Sequence, residues 1–198
     1  MDEKYAVDEL QFIKKIIEDS KRNLVYNGRE HIGWGLLISF ALIVDYLNYF
    51  FGWNFHFLLY WGIVVALGWL FSYYSSQQRK KENCPKTFAG KMMGTIWLGT
   101  GIGMTLVGFV GITSGAIPGT SISALLSVFL GSAFLISGYL HSEKWMKYLS
   151  IGWWLGAVIM FFYPGVHTVF IMAFMLLFLQ VLPGVYFYKK FKKETELQ

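Results

Sequence analysis

Asp45 is the residue from which chemistry could start in this chain. It is the only acidic residue inside a long apolar run, six residues before that run ends at Phe51. At 1.5 Å per helical residue it lies roughly 9 Å below the end of the run. An ionisable group there is costly and usually faces a cavity or a partner. The neighbouring turns hold no Lys or Arg. The spacing offers Tyr46, Asn48 one turn on, and two histidines at the ends of other apolar runs, His56 and His167. Such a set would couple a proton or cation, with Asp45, His56 and His167 as the coupling residues. The plainer alternative is an interfacial Asp hydrogen-bonded to Asn48 and water.

The four histidines fall at two levels, His31 with His141 and His56 with His167. Two per level is the axial ligand count of two haems. Each histidine, however, stands alone at the end of a different run, which interfacial polar side chains explain equally well. No cofactor is therefore expected, and haem ligation is the exception that the paired levels would allow. The single cysteine, Cys84, has no CxxC companion, so no metal site is expected. No Ser-His-Asp, His-Glu-x-x-His or paired-carboxylate set is present, so no catalytic residue is assigned and the chain reads as a non-enzyme. Gly99-Thr-Gly-Ile-Gly103 imitates a nucleotide loop, but that fingerprint needs a strand before it and a helix after it. Here the run lies inside an apolar stretch. Gly94, Gly99, Gly103, Gly152 and Gly156 read instead as small residues that let helices approach closely.

The elements that must hold these residues follow from composition. Of 198 residues, 55% are apolar and only 15% charged, against about 25% charged in soluble domains. Mean hydropathy is +0.46. A spanning helix needs about 20 apolar residues, and six stretches qualify: 32–51, 55–74, 92–113, 122–139, 148–163 and 166–188. The expected fold is all-α, a six-helix transmembrane bundle of three αα-hairpins with an N-terminal cytoplasmic amphipathic helix. Its parts are a helical segment over 1–31, the six-span domain over 32–188 and a basic tail over 189–198.

The 17 Lys and Arg fix the expected orientation. Six precede the first stretch, five lie between the second and third, two between the fourth and fifth, and four follow the sixth. The other three turns hold none. Basic loops stay on the cytoplasmic side, so both termini are expected there. The net charge of +5 is then a topological signal, and no nucleic-acid partner is expected. The short turns 52–54, 114–121 and 164–165 carry Gly and Pro, which end helices. A tryptophan stands near the start of each hairpin (Trp34, Trp97, and Trp153 with Trp154), which suggests a weak internal triplication beside the ordinary preference of Trp for headgroup level.

Residues 8–26 read as an amphipathic helix. Leu10, Ile13, Ile17 and Leu24 recur at three- to four-residue spacing, widened by Phe12 and Ile16. Six basic and seven acidic residues precede the first stretch, so this helix is poorly suited to anionic lipid, whose anchors are rich in Lys and Arg. It is expected to lie on the bundle or membrane, or to dock a partner: a second copy of the chain or a cytoplasmic protein.

The run Asp8-Glu-Leu-Gln-Phe-Ile-Lys-Lys-Ile-Ile-Glu-Asp-Ser20, with Asn27-Gly28, Trp34-Gly35, Gly90-Lys91, Trp97 and Leu182-Pro-Gly184, resembles a set of uncharacterised small bacterial six-span membrane proteins. The resemblance implies a bacterial inner-membrane protein with no assigned activity, in a set sometimes encoded beside a winged-helix regulator. The three-hairpin plan is also similar to small acid-resistance membrane proteins in architecture. Neither resemblance supplies catalytic residues. The function expected is that of a non-enzymatic sensor or accessory subunit in the bilayer, with a small proton- or cation-coupled transporter using Asp45 as the alternative and a haem-binding redox protein as the second.

Overall fold

The computed structural model describes residues 7–14, 28–81, 88–140 and 144–196. Every regular element among them is helical. A short helix α1 covers 7–14. It is followed by α2 (Arg29–Phe51), α3 (Phe57–Lys81), α4 (Phe88–Leu106), α5 (Ile122–Leu140), α6 (Leu149–Phe162), α7 (His167–Leu176) and α8 (Leu182–Glu196). Wide π-turns continue α4 over Val107–Gly111 and join α7 to α8 over Leu177–Val181. Six helices are long and apolar enough to cross a membrane: Arg29–Phe51, Phe57–Gln78, Gly90–Gly111, Gly119–Leu140, Trp145–Phe162 and His167–Lys193.

These match the six expected stretches in order. Several run a few residues further, ending on Arg29, Gln78 or Lys193, because long polar side chains can reach the headgroup layer while the backbone stays helical. The Gly52 turn is built as its composition suggests. Gly52 takes φ 66° and donates its N–H to the Asn48 carbonyl, a left-handed helix cap that glycine adopts at low cost. Asn48 also accepts the Phe55 N–H on its side-chain Oδ1 at 3.1 Å.

The bundle is not organised by chain neighbours alone. α2 touches α3, α4 touches α5 and α6 touches α7, yet the heaviest packing joins α5 to α6 and α2 to α7. The π-turn and α8 extend the seam with α2. The centre therefore consists of α2, α5, α6 and the α7–α8 rod, with α3 and α4 on the outside. The burial follows that order: 44% of the most apolar stretch of the sixth span is buried, but only 6% of that of the third. Trp153, Phe134, Met146, Met160 and Met172 form the fully buried core.

Glycines shape the central seams. A Cβ at Gly156 would collide with Met175, and one at Gly152 would stand 3.1 Å from Leu179. Gly103 meets Phe129 at 3.3 Å. A Cβ at Gly94 or Gly99 would meet none of the described residues within 4 Å. The physical reason is the peripheral position of α4, which turns these two glycines away from the rest of the described bundle.

Candidate functional site

One region gathers buried polar groups from four helices. His31, one turn into α2, is only 3% exposed. Its ring meets Trp97 of α4 edge-on with centroids 4.6 Å apart, and Phe134 of α5 at 5.3 Å. Phe134 in turn stacks on Trp153 of α6 at 6.0 Å. From the α7–α8 rod, Gln180 Nε2 donates to the His31 carbonyl at 3.4 Å. Gln180 lies in the π-turn, a departure from regular helix that often marks functional positions. Gly35 makes room for it: a Cβ there would stand 2.5 Å from Val181 and 3.5 Å from Gln180.

Two members of this region are buried without a hydrogen-bond partner among the described residues, Gln180 Oε1 and Trp153 Nε1. Most other buried polar side chains are paired. Ser39 donates to the Ala173 carbonyl at 3.1 Å, Ser127 to Met172 Sδ at 3.2 Å, and Thr168 to the Gly165 carbonyl at 2.7 Å. No Asp, Glu, Lys or Arg belongs to the buried set of described residues.

Two of the tryptophans sit in similar hydrogen-bond chains. Trp34 Nε1 donates to Ser72 Oγ at 2.8 Å, and Ser72 donates to Glu30 Oε2 at 2.9 Å. Between α4 and α5, Trp97 Nε1 donates to Ser137 Oγ at 3.2 Å, and Ser137 donates to Met93 Sδ at 3.2 Å. In both, the final acceptor lies one helical turn before the tryptophan. The Trp153 indole N–H of α6 has no such serine among the described residues.

The expected coupling residues do not form one cluster of this kind. Asp45 is half-buried, and Trp61 and Tyr60 of α3 lie in its neighbourhood. Trp61 Nε1 is nevertheless buried outside good hydrogen-bond geometry, and the Tyr60 hydroxyl is committed to the Ala41 carbonyl at 2.7 Å. Asn48 serves the hairpin turn. His56 and His167 are exposed, and His167 Nε2 donates to the Tyr163 carbonyl of its own turn at 2.7 Å. Among the described residues no group of three or more His, Cys, Asp or Glu could hold a metal. His141 and Cys84 lie outside the described residues.

On α1, Leu10 and Ile13 are 66% and 50% exposed. The rest of the expected docking stripe, Ile17 and Leu24, lies outside the described residues.

No family model matches the chain, and no curated protein or solved structure matches it. The site is therefore argued from its own geometry. Gln180 is the member that sequence reading missed. Its signal was present, an amide in the most apolar of the six stretches, but a neutral residue in a span draws less attention than Asp45. His31 was visible only as a residue at a helix end. That three aromatic and amide groups close over it follows from packing between elements distant in the chain.

Proposed function

We propose that this chain is a non-enzymatic six-span sensor or accessory subunit of a bacterial inner membrane, with three hairpins and both termini in the cytoplasm. In this reading the bundle sets the position of the N-terminal segment, and a cytoplasmic protein or a second copy of the chain reads its apolar face. The observation that carries it is the hold on His31. This residue stands where the N-terminal segment meets the bundle, three residues after Gly28, and contacts from α4, α5 and the π-turn converge on it. A change in packing among those helices would therefore act on the start of α2, which the N-terminal segment precedes in sequence. The exposed Leu10 and Ile13 give that segment a surface to present. The uncharged core, with most of its polar groups bonded inside the bundle, suits a transmitting scaffold better than a conducting path.

The test is photocrosslinking from Ile13 in native membranes. A discrete protein adduct should form, should disappear with Leu10→Asp, and should change in yield with His31→Ala. Adducts to lipid alone, or the same adducts in the Leu10→Asp chain, would overturn the reading.

The half-buried Asp45, with Tyr60 and Trp61 of α3 in its neighbourhood, favours a second reading, a proton- or cation-coupled transporter. Proton flux into vesicles containing the purified chain, abolished by Asp45→Asn, would decide for transport and against the accessory role.

A further inference from the structure

The end of the bundle remote from Arg29 carries an exposed aromatic surface. α2 closes on Tyr49, Phe50 and Phe51, the turn adds Trp53 and Phe55, and α3 opens on Phe57. All six are exposed, Phe50 to 72%. The α6–α7 turn presents Phe162 and Tyr163, 77% and 68% exposed. The two turns share one end of the bundle, because Tyr46 near the close of α2 meets Phe170 near the start of α7, with ring centres 5.4 Å apart.

The α2–α3 tip is built to hold its rings in place. Trp53 stacks on Phe51 with centroids 5.4 Å apart and meets Phe55 at 5.7 Å, and Phe55 stacks on Tyr60 of α3 at 5.9 Å. The backbone beneath them is held as well. The Asn48 carbonyl accepts the Trp53 N–H at 3.2 Å, and its side chain accepts the Phe55 N–H at 3.1 Å.

Charge and hydrogen bonding select the surroundings of these rings. From Tyr46 to Gln78 the chain holds no Asp, Glu, Lys or Arg, so nothing at the tip addresses a charged partner. The Tyr49 and Tyr163 hydroxyls and the Trp53 indole N–H have no hydrogen-bond partner among the described residues. Water would satisfy those three donors and leave a contiguous apolar patch uncovered, which soluble surfaces rarely keep. Hydrocarbon would cover the rings and strand the donors. The headgroup and ester layer of a bilayer meets both needs, with acyl carbon against the rings and ester carbonyls as acceptors. Depth agrees, since one candidate span ends at Phe51 and the next begins at Phe57. The α4–α5 turn is different in kind. Residues 113–121 include no aromatic side chain, and the Thr113 and Ser114 hydroxyls already donate to the Phe109 and Gly111 carbonyls.

We propose that the α2–α3 tip and the α6–α7 turn seat in the headgroup and ester layer of the bilayer, with Tyr49, Trp53 and Tyr163 as donors to lipid carbonyls, while the α4–α5 turn stands in water. This seating requires neither a particular orientation of the chain nor a partner protein. The test places a nitroxide at His56→Cys or at Ser114→Cys, each in the full Cys84→Ser chain reconstituted into phosphatidylcholine vesicles. Power-saturation EPR then compares collisions with oxygen, which concentrates in the bilayer, and with a nickel chelate, which stays in water. The oxygen-to-nickel ratio should be higher at His56 than at Ser114. Replacing Phe51, Trp53 and Phe55 together by Ser should abolish that difference. Trp53→Asp alone, which brings a charge to the layer, should reduce it, and Trp53→Tyr, which keeps a ring and a donor, should preserve it. A ratio at His56 no higher than at Ser114 would overturn the proposal, as would a difference that survives both the triple replacement and Trp53→Asp. A label at His56 shielded from both reagents would overturn it too, by showing that protein, such as a second copy of the chain, covers the tip.

Discussion

Gln180 is the polar side chain whose environment is least matched to it. Its amide N–H reaches the His31 carbonyl, but its Oε1 is buried without a partner among the described residues. A buried acceptor left unpaired costs about 1–3 kcal/mol, while methionine fills similar space with a soft apolar chain. Gln180→Met should therefore leave the thermal midpoint unchanged or raise it, as read from tryptophan fluorescence of the detergent-solubilised chain. A clear fall would mean that the amide oxygen has a partner holding it in place. Trp97 should behave in the opposite way, because its indole N–H is bonded to Ser137 and its ring packs on His31. Trp97→Phe should lower the midpoint through the lost bond and a gap beside His31. Residues of this kind were only partly legible in the sequence. Asp45 stands out by charge alone, but its neighbours on α3 depend on which helix faces meet, and residue spacing cannot supply that. Likewise the partner of Gln180 lies 149 residues away.

At the scale of elements, length and hydropathy were enough to find six helices, because the bilayer requires long apolar runs with their backbone bonds closed internally. Their arrangement was less legible. Short turns announce which helices are neighbours in the chain, yet the main seams join α5 to α6 and α2 to α7, and glycines of similar appearance have different surroundings. Gly156→Leu should be strongly destabilising, since Met175 already fills the space and overpacking a core typically costs about 1–3 kcal/mol. Gly94→Leu and Gly99→Leu should leave the midpoint of the monomeric chain within error, because both positions are open. A fall in either, accompanied by loss of a dimer in size-exclusion chromatography, would show that α4 seats a second copy. The same logic applies to α1, where Leu10→Asp should not lower the midpoint of the isolated chain. In the proposed function its effect falls on partner binding.

For the whole molecule, the charge distribution is what supports the proposed orientation. The structure brings the start of α2 against α8: Arg29 lies beside the Tyr188 ring, and Gly28 approaches the Gly184 backbone so closely that no Cβ fits, with φ at 63°. Near the end of α5, Gly138 meets the Lys147 backbone, and the Lys147 ammonium sits 5.7 Å from the Tyr139 ring centre. The basic residues of these elements thus sit at helix ends on the side where the first span begins. Translocating so many Lys and Arg is disfavoured, and inverting the bundle would require every basic loop to cross. The opposite turn, with Ser114 and Gly115, carries no charge and is exposed. A cysteine placed at Ser114, in a chain with Cys84 replaced by Ser, should react in intact cells with a thiol reagent that cannot cross the membrane. The native Cys84, between the second and third spans, should react only after permeabilisation. Labelling of Cys84 in intact cells would turn the molecule over. It would move α1 to the outer face, and remove the cytoplasmic partner from the proposed function.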